Sequence, residues 1–152
     1  MPLSNKKILI TGGAGYIGSH VCLALKDTNA DVAIIDNLST GFKDNIQYGT
    51  LHQIDLNDLV AVNQLFSTFK PNAVIHFAGS IVVPESISDP IKYYQNNTEN
   101  TLNLIQACIK HNVENILFSS TAAVYGMPDS GICSETSPTN PINPYGRSKL
   151  MS

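Results

Sequence analysis

Two residues near the end of the chain could move a proton. Tyr145 and Lys149 lie in "NPYGRSKLMS", one helical turn apart, so a helix there presents phenol and ammonium on one face. A phenol with a pKa of ~10 is a poor base at neutral pH, and lowering it by about 3 units takes ~4 kcal/mol of differential stabilisation. A neighbouring ammonium, helped by a positive nicotinamide, can supply this by favouring phenolate. The product is a general base that takes a hydroxyl proton while carbon gives hydride to a cofactor. Y-x-x-x-K alone is common, and it gains meaning only with a cofactor site elsewhere in the chain.

"ILITGGAGYIGSH" supplies that context. Gly13, Gly15 and Gly18 have G-x-G-x-x-G spacing, and Gly12, Gly15 and Gly18 have G-x-x-G-x-x-G spacing. Glycines at such positions allow a tight turn, close approach of backbone to a pyrophosphate, and close packing of helix on strand. The helix N-terminus then offers N–H groups and a positive dipole end to phosphates. The motif follows a strand and opens a helix, which is its confirming setting, and the absence of G-K-[ST] excludes a P-loop. Asp36 ends the next strand about 20 residues on, where an acid hydrogen-bonds ribose hydroxyls. No Arg lies between residues 30 and 45 to receive a 2′-phosphate, and Lys43 is the nearest cation. NAD is favoured over NADP. Asp55 could accept from the adenine amino group or serve as a helix N-cap.

The elements that must position these groups alternate. "KILIT" (7–11), "DVAIID" (31–36), "LHQI" (51–54), "AVIHFAG" (73–79) and "NILFSS" (115–120) read as strands. Helices are expected near Tyr16–Lys26, over a stripe of Leu56, Leu59, Val60, Phe66 and Phe69 that Pro71 ends, and from Pro90 along Tyr94, Leu104, Ile105, Cys108 and Ile109. Strands this apolar, alternating with helices, predict an α/β fold with a doubly wound parallel sheet of Rossmann-like type. The proline-rich segment 121–144 reads as a long loop. Ser119, Ser120 and Thr121 place hydroxyls at the end of the fifth strand, where one could hydrogen-bond a reacting oxygen.

Length, composition and charge fit one soluble domain. The chain has 152 residues and a net charge of −3, with no basic cluster to attract nucleic acid or an anionic membrane. No apolar run approaches the ~18 residues of a membrane span, and no signal sequence is expected. Cys22, Cys108 and Cys133 lack C-x-x-C spacing, so neither a disulfide frame nor a zinc site is expected, and the cytoplasm is the expected address. His20, His52 and His111 are too scattered for a metal site, and His76 reads as a satisfied core residue.

The ordered set "TGGAGYIGSH", "DNLSTG", "VIHFAG", "PESISDPIKYYQNN", "FSSTAAVYG" and "PYGRSKL" resembles the sugar-nucleotide epimerases of the extended short-chain dehydrogenase/reductase superfamily. The resemblance covers essentially the whole chain and corresponds to the N-terminal half of such enzymes, truncated before the last strands and the substrate domain. It implies NAD-dependent epimerisation at C4 of a UDP-hexose, such as UDP-glucose or UDP-galactose, through a 4-keto intermediate. Gly12, Gly15, Tyr16, Ile17 and Gly18 would surround the pyrophosphate, and Asp36, Asn37, Asp55 and Leu56 the adenosine half. Phe77, Ala78 and Gly79 would lie along the cofactor, Asn96 near its nicotinamide side, and Thr121, Tyr145 and Lys149 would form the catalytic set, with Tyr145 and Lys149 also touching the cofactor. The resemblance further implies a homodimer through the long helix.

Two departures from relatives stand out. Thr121 replaces a serine with its hydroxyl kept, and Ile81 stands where many carry a lysine. Residues 1–152 are expected to form an incomplete NAD-binding domain that binds NAD weakly on its own and does not turn over. Sugar-nucleotide 4,6-dehydratases carry Asp and Glu after the threonine, where this chain has Ala122 and Ala123, which disfavours dehydration. Another sugar-nucleotide epimerase or reductase, or a non-catalytic NAD-binding module, are the alternatives.

Overall fold

The computed structural model describes residues 3–128 and 131–152. They divide into two compact units, one running up to Ala78 and resuming over Asn103–Ser119, the other comprising Gly79–Leu102 and Ser120–Ser152.

The first unit is a parallel sheet. Its strands are β1 (Lys7–Thr11), β2 (Asp31–Ile35), β3 (Thr50–His52), β4 (Ala73–His76) and β5 (Asn115–Phe118), in the order β3-β2-β1-β4-β5. All four pairings are parallel, with Thr11 opposite Ile35 on one side and His76 on the other. Strand order reverses between β1 and β4, the switch point at which open α/β sheets hold ligands beyond the strand carboxyl ends. Helix α1 (Tyr16–Leu25) covers one face of the sheet, where Ile8, Ile10, Cys22, Leu25, Val32 and Ile34 pack together. Helix α2 (Leu59–Phe69) and the distal part of α5 (Asn100–Lys110) cover the other, burying Leu9, Val74, Phe66 and Leu104.

Three expectations change. The buried face of α2 is Val62, Leu65 and Phe66, whereas Leu59 and Val60 are 43% and 78% exposed. Asp58 caps α2 through the Ala61 N–H at 3.0 Å, so Leu59 and Val60 are the first helical residues and turn outward. Asp55 is therefore not the N-cap. Ile109 is 72% exposed, although Leu104 and Cys108 are buried as expected. The helix after Pro90 is not uniform: α4 (Pro90–Tyr93) runs into a π-turn segment (Tyr94–Glu99) before α5 begins. The extra residue of a π-turn rotates the apolar stripe, so one 3.6-residue register cannot be read through both halves.

The second unit holds α3 (Val83–Ser88), α4, the π-turn, the start of α5, a 3₁₀ turn (Ala122–Tyr125) and α6 (Pro144–Met151). Helix α3 was not expected from the sequence. The loop after the 3₁₀ turn agrees with the sequence reading, though Asp129 and Ser130 lie outside the described residues. No helix among the described residues is long and apolar enough to cross a membrane.

Candidate active site

In the first unit, the turn from β1 into α1 is shaped by missing side chains. Gly12 has φ +71°, and a Cβ there would stand 2.6 Å from the Ala78 nitrogen. A Cβ on Gly18 would overlap the Gly12 carbonyl and lie 2.8 Å from the Gly13 Cα. These two glycines are required by the chain's own packing. Gly15 differs, because its Cβ would meet only the Gly12 oxygen, at 3.3 Å. That single contact is tight but needs only a small shift of its neighbour, and the position also suits the second of the three glycine roles in a dinucleotide turn, close approach of another molecule to the backbone. Gly15 is also the N-cap of α1 with no side-chain cap, and the adjoining Tyr16 and Ile17 are 81% and 56% exposed. First-turn N–H groups thus open beside an uncluttered surface, which fits a pyrophosphate.

Asp36 ties this turn to β2. Its Oδ2 accepts from the Ala14 N–H at 2.9 Å and its Oδ1 from the Leu38 N–H at 2.9 Å. A carboxylate has about four lone-pair sites, so each oxygen keeps one for a ribose hydroxyl. The Ala14 carbonyl accepts from the Phe42 N–H at 3.2 Å and from Asn45 Nδ2 at 2.9 Å. A Cβ on Gly41 would stand 2.8 Å from that of Ala14. Asn45 and Gly41 thus hold the 37–45 segment against the turn; neither was singled out from the sequence, although "DNLSTG" contains the glycine.

Asn37 Nδ2 donates to Asp55 Oδ2 at 2.8 Å, and Asp55 Oδ1 accepts from the Asn57 N–H at 2.9 Å. The Asn37 bond, then the Asn57 bonds, hold the Asp55 carboxyl below its ordinary value. Leu56 is only 5% exposed and packed in the core, so any contact it makes with adenosine falls to its main chain. At the switch point, Thr11 Oγ1 and His76 Nδ1 share a 2.6 Å hydrogen bond, and His76 is the buried, satisfied histidine expected. Phe77 and Ala78 follow it directly, half-buried against the two core clusters.

In the second unit, α6 carries Tyr145 and Lys149. Asn143 caps it, its Oδ1 accepting from the Gly146 N–H at 2.8 Å, and Pro144 starts it. Tyr145 is half-buried and Lys149 is buried, 6% exposed, with its ammonium pushed down to about 8 by desolvation. Gly146 lets this helix meet the 3₁₀ turn, since a Cβ there would lie 2.6 Å from the Ala123 carbonyl oxygen. Thr121 caps that turn, its Oγ1 accepting from the Ala123 N–H at 3.2 Å. The elements bearing Thr121 and Tyr145 are thereby in contact.

A polar hub fixes the other flank of α6. Asn97, 2% exposed in the π-turn, accepts from the Ser80 N–H at 2.7 Å and donates to the Ser80 carbonyl at 3.0 Å and to Ser148 Oγ at 2.9 Å. A Cβ on Gly79 would stand 3.0 Å from Asn97 Oδ1 and 4.0 Å from Lys149 Nζ, which places the end of "FAG" beside the lysine. Asn96 lies one residue away, donating to Ser80 Oγ at 2.9 Å and accepting from Asn100 Nδ2 at 3.2 Å. The sequence reading picked Asn96 and missed Asn97, whose role depends on a partner about 50 residues away. Among the described residues, no group of three or more His, Cys, Asp or Glu could hold a metal ion.

A sheet of this order, a dinucleotide turn at its first strand and a Tyr–Lys helix define the class of Rossmann-type nicotinamide-nucleotide proteins. Residues 8–152 match the NAD dependent epimerase/dehydratase family, and the chain belongs to that family. It is 48% identical over 149 residues to the UDP-glucose 4-epimerase of Azospirillum brasilense, covering 97% of this chain and 43% of that protein. It superimposes with a TM-score of 0.93 on the UDP-Glc/GlcNAc 4-epimerase of Campylobacter jejuni, at 50% identity, covering 97% of this chain and 46% of that one. The UDP-glucose 4-epimerase of Brucella ovis in complex with NAD gives a TM-score of 0.93 at 41% identity, covering 96% and 45%. The chain thus spans less than half the length of these relatives.

Proposed function

We propose that this chain is the NAD-holding and proton-transferring part of a UDP-hexose 4-epimerase. The observation that carries the reading is the pairing of two devices in one chain. One is a glycine turn in which Gly15 is the least crowded of Gly12, Gly15 and Gly18, as close approach of a phosphate group to the backbone would require. The other is a helix that carries Tyr145 and Lys149 one turn apart and meets, at Gly146, the turn that starts at Thr121. When bound, NAD supplies a hydride acceptor and donor for C4 of the sugar. Gly12, Gly15, Tyr16, Ile17 and Gly18 would hold its pyrophosphate, Asp36, Asn37, Asp55 and Leu56 its adenosine, and Phe77, Ala78, Gly79, Asn96, Tyr145 and Lys149 the remainder.

Tyr145 takes the proton of the sugar 4′-hydroxyl and returns it. Lys149, when protonated, favours the phenolate; its burial places its own proton loss near pH 8. Thr121 Oγ1 accepts from a backbone N–H and so keeps its O–H to donate to the reacting oxygen. Ala122 and Ala123 follow it, and neither could serve the extra acid and base that dehydration needs. The related epimerases named above support a UDP-sugar substrate. Exposed Ile87, Ile91 and Leu102 at 67%, 67% and 53% suit a homodimer face. Free thiols at Cys22, Cys108 and Cys133 suit the cytoplasm.

Label transfer tests the reaction. A polypeptide carrying this chain at the length of its relatives should convert UDP-[4-²H]galactose to UDP-glucose with deuterium kept at C4. Washout of the label into solvent would exclude the keto route and replace it with proton abstraction from carbon.

A further inference from the structure

The Tyr145 ring rests on a second tyrosine that neither the resemblance nor the proposed chemistry uses. Tyr93 is the largest fully buried side chain among the described residues. Its ring meets that of Tyr145 edge-on, with centroids 6.4 Å apart and planes at 84°, an arrangement the ring quadrupoles favour. Its hydroxyl donates to the Val82 carbonyl at 2.6 Å and lies 2.8 Å from Glu85 Oε2, so one proton is shared between two acceptors. The other Glu85 oxygen accepts from Lys92 Nζ at 2.6 Å, and the Lys92 N–H is capped by Asp89 at 3.2 Å. Tyr93 is therefore pinned at both ends, by its backbone in α4 and by its hydroxyl at the start of α3.

We propose that Tyr93 is a positioning residue for Tyr145: its anchored ring edge sets the plane of the Tyr145 ring and hence the direction of the phenolic oxygen. The need is physical. The last torsion of a tyrosine side chain is broad and roughly two-fold, so a half-buried ring keeps one plane only if something packs against it. A phenylalanine would offer the same edge but could pivot, whereas the hydroxyl anchor holds the wall still. Burial first, and then the Glu85 carboxylate, push Tyr93's own ionisation up to about 12, so it stays neutral and does not act as a rival base. The inference depends on Tyr145 being the base.

The test uses tyrosine labelled with ¹³C at Cζ and the ring carbons in this chain, with the Tyr145 signals assigned by their loss in Tyr145→Phe. In Tyr93→Leu the Tyr145 ring resonances should move and collapse to averaged lines, while Tyr93→Phe, which keeps the edge but loses the anchor, should leave them near the original positions and broaden them. In a polypeptide of the relatives' length, Tyr93→Leu should lower kcat about 10-fold with KM within about twofold, the signature of misplacement rather than lost binding, and Tyr93→Phe should recover most of it. Glu85→Gln, a half-buried change outside the apolar core, should lower kcat about twofold to threefold and broaden the Tyr145 lines, which keeps the test open if Tyr93→Leu does not fold. Unmoved Tyr145 signals in folded Tyr93→Leu, or in Glu85→Gln if the leucine variant is unfolded, would overturn the proposal. Failure of the base assignment is seen separately, as retained turnover in Tyr145→Phe.

Discussion

The glycine turn and the Tyr–Lys helix are both rigid, for opposite reasons. Around Gly12 and Gly18 the chain is held by the absence of side chains, with backbone against backbone at distances a Cβ would violate. Around Lys149 it is held by hydrogen bonds, the Asn97 side chain joining the Ser80 main chain to Ser148 Oγ. The first device tolerates almost no added atom; the second tolerates bulk at many places but loses its form when a donor or acceptor goes missing. Under the proposed function the first suits a phosphate site, which must be empty until filled, and the second a base, which must be aimed before its substrate arrives.

The contrast is broken most forcefully at Gly12. Gly12→Ala meets both a left-handed backbone and the Ala78 main chain, and should lower stability by about 3 kcal/mol. Gly15→Ala should cost less than about 1 kcal/mol yet weaken NAD binding about tenfold or more. Urea midpoints and NAD titration of the two variants separate the roles, and equal destabilisation would erase the distinction between them.

Next in size is the burial of Lys149. Its folded-state value of about 8 lies below the ordinary 10.5, so the unfolded chain binds more protons between these limits. Stability should therefore rise as pH climbs from 8 to 10.5, by up to about 3 kcal/mol in total. Lys149→Met should lack that rise. Parallel pH dependence in both chains would show that another group is responsible.

The smallest effect is expected at Gly146. Alanine gains ~1 kcal/mol in an open helix, but here its Cβ would press on the Ala123 carbonyl, and overpacking costs about 1–3 kcal/mol. Gly146→Ala should thus lose about 1 kcal/mol in a thermal melt, and a gain would mean that α6 is free of the 3₁₀ turn.

Much of this was legible in the sequence. Strand β1 has the bounds read from "KILIT", and β2 and β4 start where their β-branched runs start, because a buried parallel strand is apolar throughout. The glycine spacing, Asp36 and the Tyr–Lys pair stood out in the sequence because the chemistry proposed for each demands its own residue type at a short, fixed spacing. Strand β5 was found but is unlike the others: Leu117 is 57% exposed at the edge, beside a groove of about 380 Å³ also lined by Ile8 and Ile75. What stayed hidden depends on distant partners. Asn97, Gly146 and Tyr93 lie in stretches the sequence reading noted, but what each does comes from Ser148, Ala123 and Tyr145, which no local spacing reveals. The π-turn has no periodic signature of its own, so it disguised the buried stripe of the helix it interrupts.

The central claim is that Tyr145 is the base of a C4 epimerisation. A polypeptide of the relatives' length, purified as Tyr145→Phe, should bind NAD as the parent does while UDP-galactose turnover falls at least ~100-fold. Turnover within tenfold of the parent, with NAD bound equally, would contradict the account.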